Sequence, residues 1–376
     1  MTLLVNTITR HFTRNYGSFL QTLATQEILR RAGATPRFID YRQSNVDDTG
    51  WSIASRSTVP RFGQVATALY ASVRHSNARH MGRVFESSIQ ENLTLTRDVY
   101  RSIGDLRASD EFDAASAYCV GSDQVWNVIH THDNGPYYLE FAPPGAHKFS
   151  ISSSLGMQRL PSAEEDRLIH ALSTFRGVSV REQQTAEYLA ELGIAAQSHV
   201  DPTLGVSRSF WNEFAGGGDD VQSPYLLVYQ LNRGPVFPLV VEALSKKLGL
   251  PVVRVEYWSQ HRRGSGRKIV LPAARDFVRL FRDASFVVTD SFHGTAFSTI
   301  FDRDFVVVPP PRFDGRIRSF LSLTGRTDLL VTEPGEALEA ATAAAPTLVI
   351  RRILDHERRR LQDYVGSMVA AAGEHR

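Results

Sequence analysis

The stretch Leu3-Leu-Val-Asn-Thr-Ile-Thr9 is apolar and rich in β-branched residues, which predicts a buried strand. Residues 18–31 follow with apolar side chains on one helical face, and Gly33 stands where a helix commonly ends. Residues 37–41, Arg-Phe-Ile-Asp-Tyr, predict the next strand. A strand, a helix and a second strand within about forty residues form a βαβ unit, so this stretch predicts an α/β fold with a parallel sheet.

The same alternation continues in two series. The first series ends before Gly216-Gly-Gly-Asp-Asp, a cluster of a kind that is typical of linkers. Residues 43–110 interrupt it, because they are polar and weakly periodic, and we expect a helical excursion from the sheet there. The other expected strands lie near 117–120, 148–153, 178–180, 198–200, 225–229, 252–257, 268–271, 286–289 and 305–308, and the other expected helices near 162–175, 183–192, 236–248, 274–283 and 295–302.

The last segment, 348–370, places Ile350, Leu361 and Val365 on one helical stripe. This stripe needs a partner surface after the second sheet is complete, so we expect the helix to return to the first domain. The expected organisation is a Rossmann-like amino-terminal domain over 1–212, a linker over 213–222, a Rossmann-like carboxyl-terminal domain over 223–347 and the returning helix over 348–376. Two such domains imply a cleft between them, and ligands of these sheets bind beyond the carboxyl ends of the strands.

Composition excludes several classes of protein. The chain has 376 residues, of which 42% are hydrophobic, and this is enough for two cores. Its 42 Lys and Arg nearly balance 40 Asp and Glu, so we expect neither nucleic acid nor an anionic membrane as a main partner. The single cysteine, Cys119, allows no internal disulfide, and no apolar run is long enough to span a membrane. These features predict a cytoplasmic protein without stable membrane insertion.

The sequence lacks the motifs of several large enzyme classes. It contains no G-x-G-x-x-G, no P-loop G-x-x-x-x-G-K-[ST], no H-E-x-x-H, no C-x-x-C and no G-x-S-x-G. Dinucleotide oxidoreductases, P-loop enzymes, zinc hydrolases and α/β-hydrolases are therefore disfavoured. We expect no metal and no cofactor.

The strongest local signal is Phe286-Val-Val-Thr-Asp-Ser-Phe-His-Gly-Thr-Ala-Phe-Ser. A buried strand ends at 289–290 and a helix is expected to begin near Thr295, which could cap it, so Ser291, His293 and Gly294 occupy the turn between them. Free helix N–H groups at such a turn suit an anion. His293 could transfer a proton there, since its unperturbed pKa is near 6.5. A structural hydrogen bond by His293 is an equally good interpretation.

A second signal, Gly121-Ser-Asp-Gln-Val-Trp-Asn, follows a strand in the first half of the chain. Asp123 could act as a base, and Trp126 could offer a flat face to a sugar ring; the alternative is an Asx-type turn with a tryptophan in the core. Arg181 also follows a strand, which favours ligand contact, although a surface ion pair is the usual role of such an arginine. Asn15-Tyr-Gly17 lies in the first strand-to-helix loop.

Taken together, these segments resemble the polysaccharide pyruvyl transferase family. The resemblance runs from about residue 3 to 331, in family order, and two of its blocks, G-S-D-Q-V-W-N and D-S-F-H-G-T, are specific in combination. The similar blocks are Asn15-Tyr-Gly-Ser-Phe-Leu-Gln-Thr-Leu-Ala, Ile39-Asp-Tyr-Arg, Gly121-Ser-Asp-Gln-Val-Trp-Asn, Ser179-Val-Arg-Glu, Val200-Asp-Pro-Thr-Leu, Thr289-Asp-Ser-Phe-His-Gly-Thr-Ala-Phe-Ser and Arg316-Ile-Arg-Ser-Phe-Leu.

The resemblance implies a glycosyltransferase-B-like pair of Rossmann domains. It also implies transfer of a pyruvyl group from phosphoenolpyruvate to two hydroxyls of a sugar, oligosaccharide or lipid-linked glycan, with formation of a cyclic ketal and release of phosphate. The donor carries a phosphate and a carboxylate, which arginine binds well. Expected roles are catalysis by His293 and Asp123; donor binding by Arg181, Arg316, Ser291, Gly294 and Thr295; and acceptor binding by Asn15, Tyr16, Gly17, Ser122 and Trp126.

One residue departs from the family pattern. Many members carry an arginine two residues before the motif histidine, and this chain has Ser291 there. The anion must then be bound by other residues, first of all Arg181 and Arg316, or the site no longer accepts phosphoenolpyruvate. Two other functions remain open on the same fold: a nucleotide-sugar-dependent glycosyltransferase, and a non-catalytic protein that binds anions or sugars.

Overall fold

The computed structural model describes residues 2–43, 64–113, 116–129, 133–218, 224–257, 264–310, 315–343 and 346–374, with the backbone alone for residues 64–76. The chain folds into two compact units. The first unit comprises Met1–Ala78, Phe85–Val206 and Glu357–Arg376, and the second comprises Arg79–Val84 and Ser207–His356.

The first unit contains seven strands and six helices among the residues that the structure describes. Its strands are β1 (Leu3–Ile8), β2 (Ala34–Tyr41), β3 (Leu95–Tyr100), β4 (Ala117–Val120), β5 (His147–Ser150), β6 (Ser179–Val180) and β7 (Gln197–Ser198). Its helices are α1 (Tyr16–Arg31), α2 (Gln64–Asn92), of which residues 79–84 cluster with the second unit, α3 (Ile103–Ala108), α4 (Ser162–Leu172), α5 (Gln183–Glu191) and α6 (Pro202–Gly205).

The main sheet of this unit has the strand order β3-β2-β1-β4-β5, and every pairing is parallel. β6 and β7 form a small parallel pair, and bridges between Phe149 and Gly177 and between Ser153 and Val180 connect it to β5 and the residues after it. All four residues of β4 are buried, as expected for a central parallel strand covered on both faces.

The predicted excursion at 43–110 is wrong in one respect. Its residues 44–63 lie outside the described residues, and α2 and α3 are helical as expected, but β3 between them joins the sheet at its edge. The three residues Arg97, Asp98 and Val99 are exposed, since an edge strand has only one covered side. Because these positions face solvent, they accept polar residues, and the sequence of β3 lacks the apolar pattern of the other strands.

The second unit repeats the arrangement. Its strands are β8 (Leu226–Tyr229), β9 (Val252–Glu256), β10 (Arg267–Val270), β11 (Phe286–Thr289) and β12 (Asp304–Val307), and its helices are α7 (Arg208–Ala215), α8 (Val236–Leu248), α9 (Ala274–Asp283), α10 (Phe292–Ile300), α11 (Gly315–Leu323) and α12 (Pro334–Ala340). Its sheet has the order β10-β9-β8-β11-β12, again entirely parallel. Both sheets therefore have the doubly wound Rossmann-like order, and the predicted α/β fold class is confirmed.

The last helix, α13 (Thr347–Glu374), occupies the segment predicted at 348–370. From Glu357 onward it belongs to the first unit. Tyr364 donates a hydrogen bond to the Ser150 carbonyl oxygen (3.0 Å), and a side chain at Gly205 would collide with Leu361. From Glu357 onward, the apolar stripe of α13 is therefore buried against the first unit.

The boundary between the units differs from the linker expected at 213–222. It falls between Val206 and Ser207, and α7 occupies the start of the expected linker, where Trp211 and Ala215 are buried. Gly216–Gly218 follow α7, and residues 219–223 lie outside the described residues. Within the described part of the chain, no helix is long and apolar enough to cross a membrane.

Candidate functional site

The carboxyl ends of the strands contain the polar residues of interest in both units. In each sheet the chain order reverses between the two strands at the centre, β1 and β4 in the first unit and β8 and β11 in the second. Adjacent loops diverge at such a position and leave a crevice where ligands of this fold class bind. The segments 9–18 and 121–126 follow the first pair of strands, and the segments 230–235 and 290–293 follow the second pair.

In the first unit, a hydrogen bond connects the start of α1 to the loop after β4. Ser18, in the first turn of α1, donates to Asp123 Oδ2 at 2.6 Å. Asp123 has a φ of 79°, in the left-handed region that costs a non-glycine residue about 1–3 kcal/mol. A strained backbone and two hydrogen bonds, from Ser18 and from the Gln124 N–H to Asp123 Oδ1 (2.8 Å), fix the direction of this carboxylate.

Arg181 lies after β6 in a cluster of carboxylates. Its side chain is 3% exposed, and its guanidinium donates to Asp201 Oδ2 (2.7 Å) and to Glu182 Oε1 (3.2 Å). Burial lowers the pKa of Arg181, but the carboxylates of Glu182, Asp201 and Asp123 outweigh this effect and keep the pKa above its usual value. Arg181 therefore neutralises carboxylates of its own unit, and its predicted contact with the donor stays a prediction.

A further charged network, at the same edge of the first sheet, was not predicted from the sequence. His11 Nε2 lies 3.2 Å from Asp40 Oδ1, and Arg42 bridges Asp40 and Glu86. Burial raises the pKa of Asp40, but hydrogen bonds from His11 and Arg42 outweigh it and lower the pKa to about 2. Sequence reasoning could have found this network, because His11 closely follows β1, and Asp40 and Arg42 lie at the end of β2.

Serine hydroxyls fill the space between the ends of β4, β5 and β6. Ser122 donates to the Ser152 carbonyl oxygen (2.7 Å), Ser152 donates to the Val200 carbonyl oxygen (2.8 Å), and Ser153 donates to the Gly121 carbonyl oxygen (2.9 Å). Ser179 Oγ lies 2.9 Å from Nδ1 of the buried His199. These hydroxyls satisfy backbone groups where the regular sheet ends, which makes this edge rigid.

Three residues expected to bind the acceptor are buried in the fold instead. Trp126 is 0% exposed, belongs to the apolar core and donates its ring N–H to the Tyr137 carbonyl oxygen, so it offers no face to a sugar. Tyr16 packs against Phe85 with ring centroids 5.0 Å apart, and Ser122 is also fully buried. The alternative expected for Trp126, a core residue beside a turn, is the correct one.

The remaining two acceptor residues shape the start of α1. Asn15 is the N-cap, and its side-chain oxygen accepts from the Gly17 N–H at 2.8 Å. Gly17 is buried in the first turn of the helix. Their predicted contact with the acceptor stays a prediction; in the structure they lie at the start of α1, next to Ser18, which contacts Asp123.

In the second unit, α10 begins three residues earlier than expected. Ser291 is its N-cap and accepts from the Gly294 N–H (3.4 Å), so His293 lies within the first turn and not in a loop before it. Thr295, expected as the cap, is fully buried and donates to the Ser291 carbonyl oxygen (3.0 Å). His293 is half-buried at the carboxyl end of β11, and its Nε2 atom is buried.

Gly294 permits the close approach of α10 to β11. A Cβ atom at this position would lie 2.9 Å from Thr289 Cβ and closer still to Thr289 Oγ1. Thr289 Oγ1 in turn donates to the Tyr229 carbonyl oxygen (2.8 Å) and accepts from the Ser291 N–H (3.1 Å). Gly294 therefore acts through packing, and it sets the position of His293.

Arg316 lies beside the first turn of α10. Its guanidinium is 5.9 Å from the ring centroid of Phe292, a cation–π contact, and the Phe292 and His293 rings meet edge to face at 5.2 Å. Arg316 itself is half-buried in the first turn of α11. The structure thus brings together two of the expected site residues, His293 and Arg316, at one helix start.

A cavity of about 200 Å³ opens at the same edge of the second sheet. Its wall includes residues from the ends of β8, β11 and β12, among them Asn232, Arg233, Asp290 and Pro309. The Asp290 carboxylate accepts from the Leu231 N–H (2.7 Å) and from the Asn232 N–H (2.6 Å), which connects the loop after β8 to the end of β11. Sequence reasoning named neither Arg233 nor this cavity.

The family profile of the polysaccharide pyruvyl transferases matches residues 15–310. This range covers the strand ends of both units. The chain belongs to the polysaccharide pyruvyl transferase family. The predicted family is therefore confirmed, and so is the prediction that the chain is a transferase.

Comparison with known proteins identifies solved structures that are similar to this chain. None of the curated proteins matches this chain. Among solved structures, a UDP co-structure of S. aureus MnaA is similar at 10% identity with a TM-score of 0.52, covering 96% of this chain and 97% of that one. The UDP-GlcNAc 2-epimerase of Methanocaldococcus jannaschii, in complex with UDP-GlcNAc and UDP, is similar at 11% identity with a TM-score of 0.49, covering 95% and 99%. At 10% identity the similarity to MnaA shows a shared glycosyltransferase-B-like fold alone.

Proposed function

We propose that this transferase moves a pyruvyl group from phosphoenolpyruvate to two hydroxyls of a glycan or glycan precursor and releases phosphate. The single observation that carries the proposal is the family match across both sets of strand ends, with His293 in the first turn of α10. Pyruvyl transfer needs a proton donor next to an anion site. His293 and the first N–H groups of α10 lie within one helical turn, which supports the proposal.

The donor's phosphate is proposed to bind at the start of α10. The first N–H groups of a helix bind anions, and the aligned peptide dipoles add about half a positive charge there. Arg316 adds a full positive charge beside Phe292. Both sources are needed, because a phosphate dianion is too highly charged for a helix start alone.

We propose His293 as the acid. Its proton adds to the methylene carbon of phosphoenolpyruvate, which becomes a methyl group, and the neighbouring carbon becomes electrophilic. The oxygen of the first sugar hydroxyl then bonds to this carbon and gives up its proton. The second hydroxyl oxygen forms the other bond as phosphate leaves with its electron pair. One hydroxyl proton goes to a base and the other leaves with the phosphate; the base releases its proton to solvent and His293 takes one up, so the reaction balances.

We propose Asp123 as the base that accepts the hydroxyl proton. Ser18 and the strained backbone fix the direction of its carboxylate, and a general base must be held within hydrogen-bond reach of the proton that it accepts. The proposed acceptor is a sugar, an oligosaccharide or a lipid-linked glycan, and Asn15 and Gly17 lie at the start of α1, next to the Ser18 that contacts this carboxylate. The proposed location is the cytoplasm, in keeping with a single cysteine that cannot form an internal disulfide.

The test is phosphate release from phosphoenolpyruvate with a panel of sugar acceptors, together with mass spectrometry for the pyruvylated product. We expect release that depends on the acceptor, and thermal stabilisation of the protein by phosphoenolpyruvate, since a ligand that binds the native state raises Tm. A nucleotide sugar serves as the comparison ligand. Stabilisation by the nucleotide sugar alone, without phosphate release, would contradict the proposal and favour a glycosyltransferase.

A further inference from the structure

The wall of the cavity in the second unit includes an arginine, Arg233, which has no role in the proposed site. Arg233 lies in the loop after β8 and forms part of the cavity wall. Within the described residues, its guanidinium forms no hydrogen bond or ion pair. Arg42 and Arg181 at the edge of the first sheet differ, because Arg42 pairs with Asp40 and Glu86 and Arg181 pairs with Asp201 and Glu182.

The other polar side chains around Arg233 hold the loop in place. Asp290 binds two backbone N–H groups of this loop at 2.7 and 2.6 Å, so its negative charge is engaged there. Gln230 donates its side-chain N–H to the Asn232 carbonyl oxygen at 2.7 Å. The loop is therefore pre-organised by groups that face it, and Arg233 is left to face the cavity.

The rest of the wall suits a small ligand with one anionic end. Phe237, Val308 and Pro309 give it apolar surface, and α8 begins at the cavity without a side-chain cap or an acidic residue in its first turn among the described residues. Both α8 and Arg233 therefore favour negative charge. The volume of about 200 Å³ is below the roughly 300 Å³ of the smallest pockets for drug-sized ligands.

We propose that this cavity binds the carboxylate end of phosphoenolpyruvate, with Arg233 as its ion partner. The proposal rests on the proposed function, which places the phosphate at the start of α10. Asp290, in the cavity wall, directly precedes the cap of that helix, so the two anion sites are neighbours along one sheet edge. A planar guanidinium matches a carboxylate with two parallel hydrogen bonds. The apolar wall is then available to the donor's methylene group.

The test is calorimetric binding of phosphoenolpyruvate and, separately, of inorganic phosphate to the full-length protein. Arg233→Gln is expected to weaken phosphoenolpyruvate binding about 10- to 100-fold, the effect of losing a charged hydrogen-bonded pair. Binding of inorganic phosphate should stay within about twofold, because its site at α10 is unchanged. Arg267→Gln is the matched control, since Arg267 is exposed at the first residue of β10, on the opposite edge of the same sheet.

A second variant tests the cavity itself. A Cβ atom at Gly234, in the cavity wall, would meet no atom within 4 Å, so Gly234→Phe can fold and reduce the space for a ligand. It should weaken phosphoenolpyruvate binding as Arg233→Gln does. Unchanged binding in both variants would overturn the site, and equal loss of inorganic phosphate in Arg233→Gln would overturn the carboxylate assignment.

The outcomes separate this inference from the proposed function. If the wild-type protein transfers pyruvyl groups and Arg233→Gln binds the donor normally, the inference fails and the function stands. If phosphoenolpyruvate binds in an Arg233-dependent way but no acceptor releases phosphate, the proposed function fails and the donor site stands.

Discussion

The two sheets have the same strand order, but their carboxyl edges use polar residues differently. At the edge of the first sheet, His11 lies 3.2 Å from Asp40, and Arg181 forms an ion pair with Asp201. At the edge of the second sheet Arg233 is exposed, Arg316 lies over an aromatic ring, and Asp290 binds backbone N–H groups. Arg181 at the first edge is thus held by a buried carboxylate, whereas Arg233 at the second edge is exposed in the wall of a cavity.

This difference indicates that the two edges have different roles in the proposed reaction. Paired charges fix geometry, and Asp123 gains a defined direction from its surroundings. Cations next to helix starts favour an anion. On the proposed function, the first edge therefore orients the base for the hydroxyl acceptor and the second edge binds the anionic donor. Changing residues on one edge at a time tests this contrast.

The largest expected effect is that of His293. His293→Ala should lower turnover by about 10²- to 10⁴-fold, the usual contribution of a positioned acid or base, with the fold unchanged because His293 is half-buried. His293→Gln can form a hydrogen bond but cannot transfer the proton, so it should be impaired to a similar degree. Steady-state phosphate release measures both variants.

The control for this prediction is His356→Gln, because His356 is an exposed histidine of the same unit. Near-normal turnover in His293→Gln would show that His293 only donates a hydrogen bond to the phosphate. The acid would then be another residue.

The second-largest expected effect is a loss of stability when Arg181 is replaced. Arg181→Leu leaves the buried Asp201 carboxylate without its cation, so the free energy of unfolding should fall by about 3–5 kcal/mol. Urea denaturation measures this loss. Arg159→Leu is the control: Arg159 pairs with Glu191 on the surface of the same unit, and removal of that pair should cost at most about 1 kcal/mol.

Arg181→Lys tests the role that the sequence predicted for this residue. It keeps the positive charge but loses the fork of N–H donors. If Arg181→Lys folds stably and still loses phosphoenolpyruvate affinity, Arg181 contacts the donor as predicted from the sequence. If affinity is unchanged, its role is confined to the carboxylate cluster.

The sequence predicted the fold well, for a physical reason. Central parallel strands are covered on both faces, so their sequences are apolar runs such as Phe286–Thr289. The helices between them show a clear helical period of apolar residues. The edge strand β3 escaped prediction because its middle residues are exposed and polar. Local sequence also left the start of α10 ambiguous, since both Ser291 and Thr295 can cap a helix.

The candidate site was harder to predict, because burial is a tertiary property. Trp126 and Tyr16 have side chains that suit a sugar, yet both fill the core of the first unit. Arg233 has no local motif around it, and its importance follows only from the cavity beside it. Pattern reasoning placed His293 and Asp123 at strand ends correctly, because a strand end can be located from the apolar run before it.

A smaller effect is expected from pH, and it should be confined to the first unit. His199 is buried, and burial together with the charge of Arg360 lowers its pKa to about 4. An unfolded histidine binds a proton near pH 6.5, so the unfolded state gains protons first as the pH falls. Stability should therefore decrease between about pH 6.5 and 4, by up to roughly 3 kcal/mol.

Urea denaturation at several pH values tests this prediction, and amide exchange localises the loss to the first unit. Asp40, with a pKa of about 2, loses its stabilising contribution only below pH 4, so the two windows are separate. His199→Gln should flatten the slope above pH 4, whereas His170→Gln, at an exposed histidine of the same unit, should not. A slope that persists in His199→Gln would assign the pH dependence to another group.

The smallest expected effect is that of Gly294→Ala, which tests how the second edge positions His293. The added methyl group would collide with Thr289 below α10, so the helix must shift, and such overpacking costs about 1–3 kcal/mol of stability. Gly335→Ala is the control, because a Cβ atom there, in the first turn of α12, would meet only Glu333 Oε1 at 3.7 Å. Since His293 directly precedes Gly294, the shift should lower turnover as well as stability, while Gly335→Ala changes neither. A stable Gly294→Ala variant with normal turnover would mean that α10 can move away from β11 without loss of function, and that the close packing under His293 does not set its position.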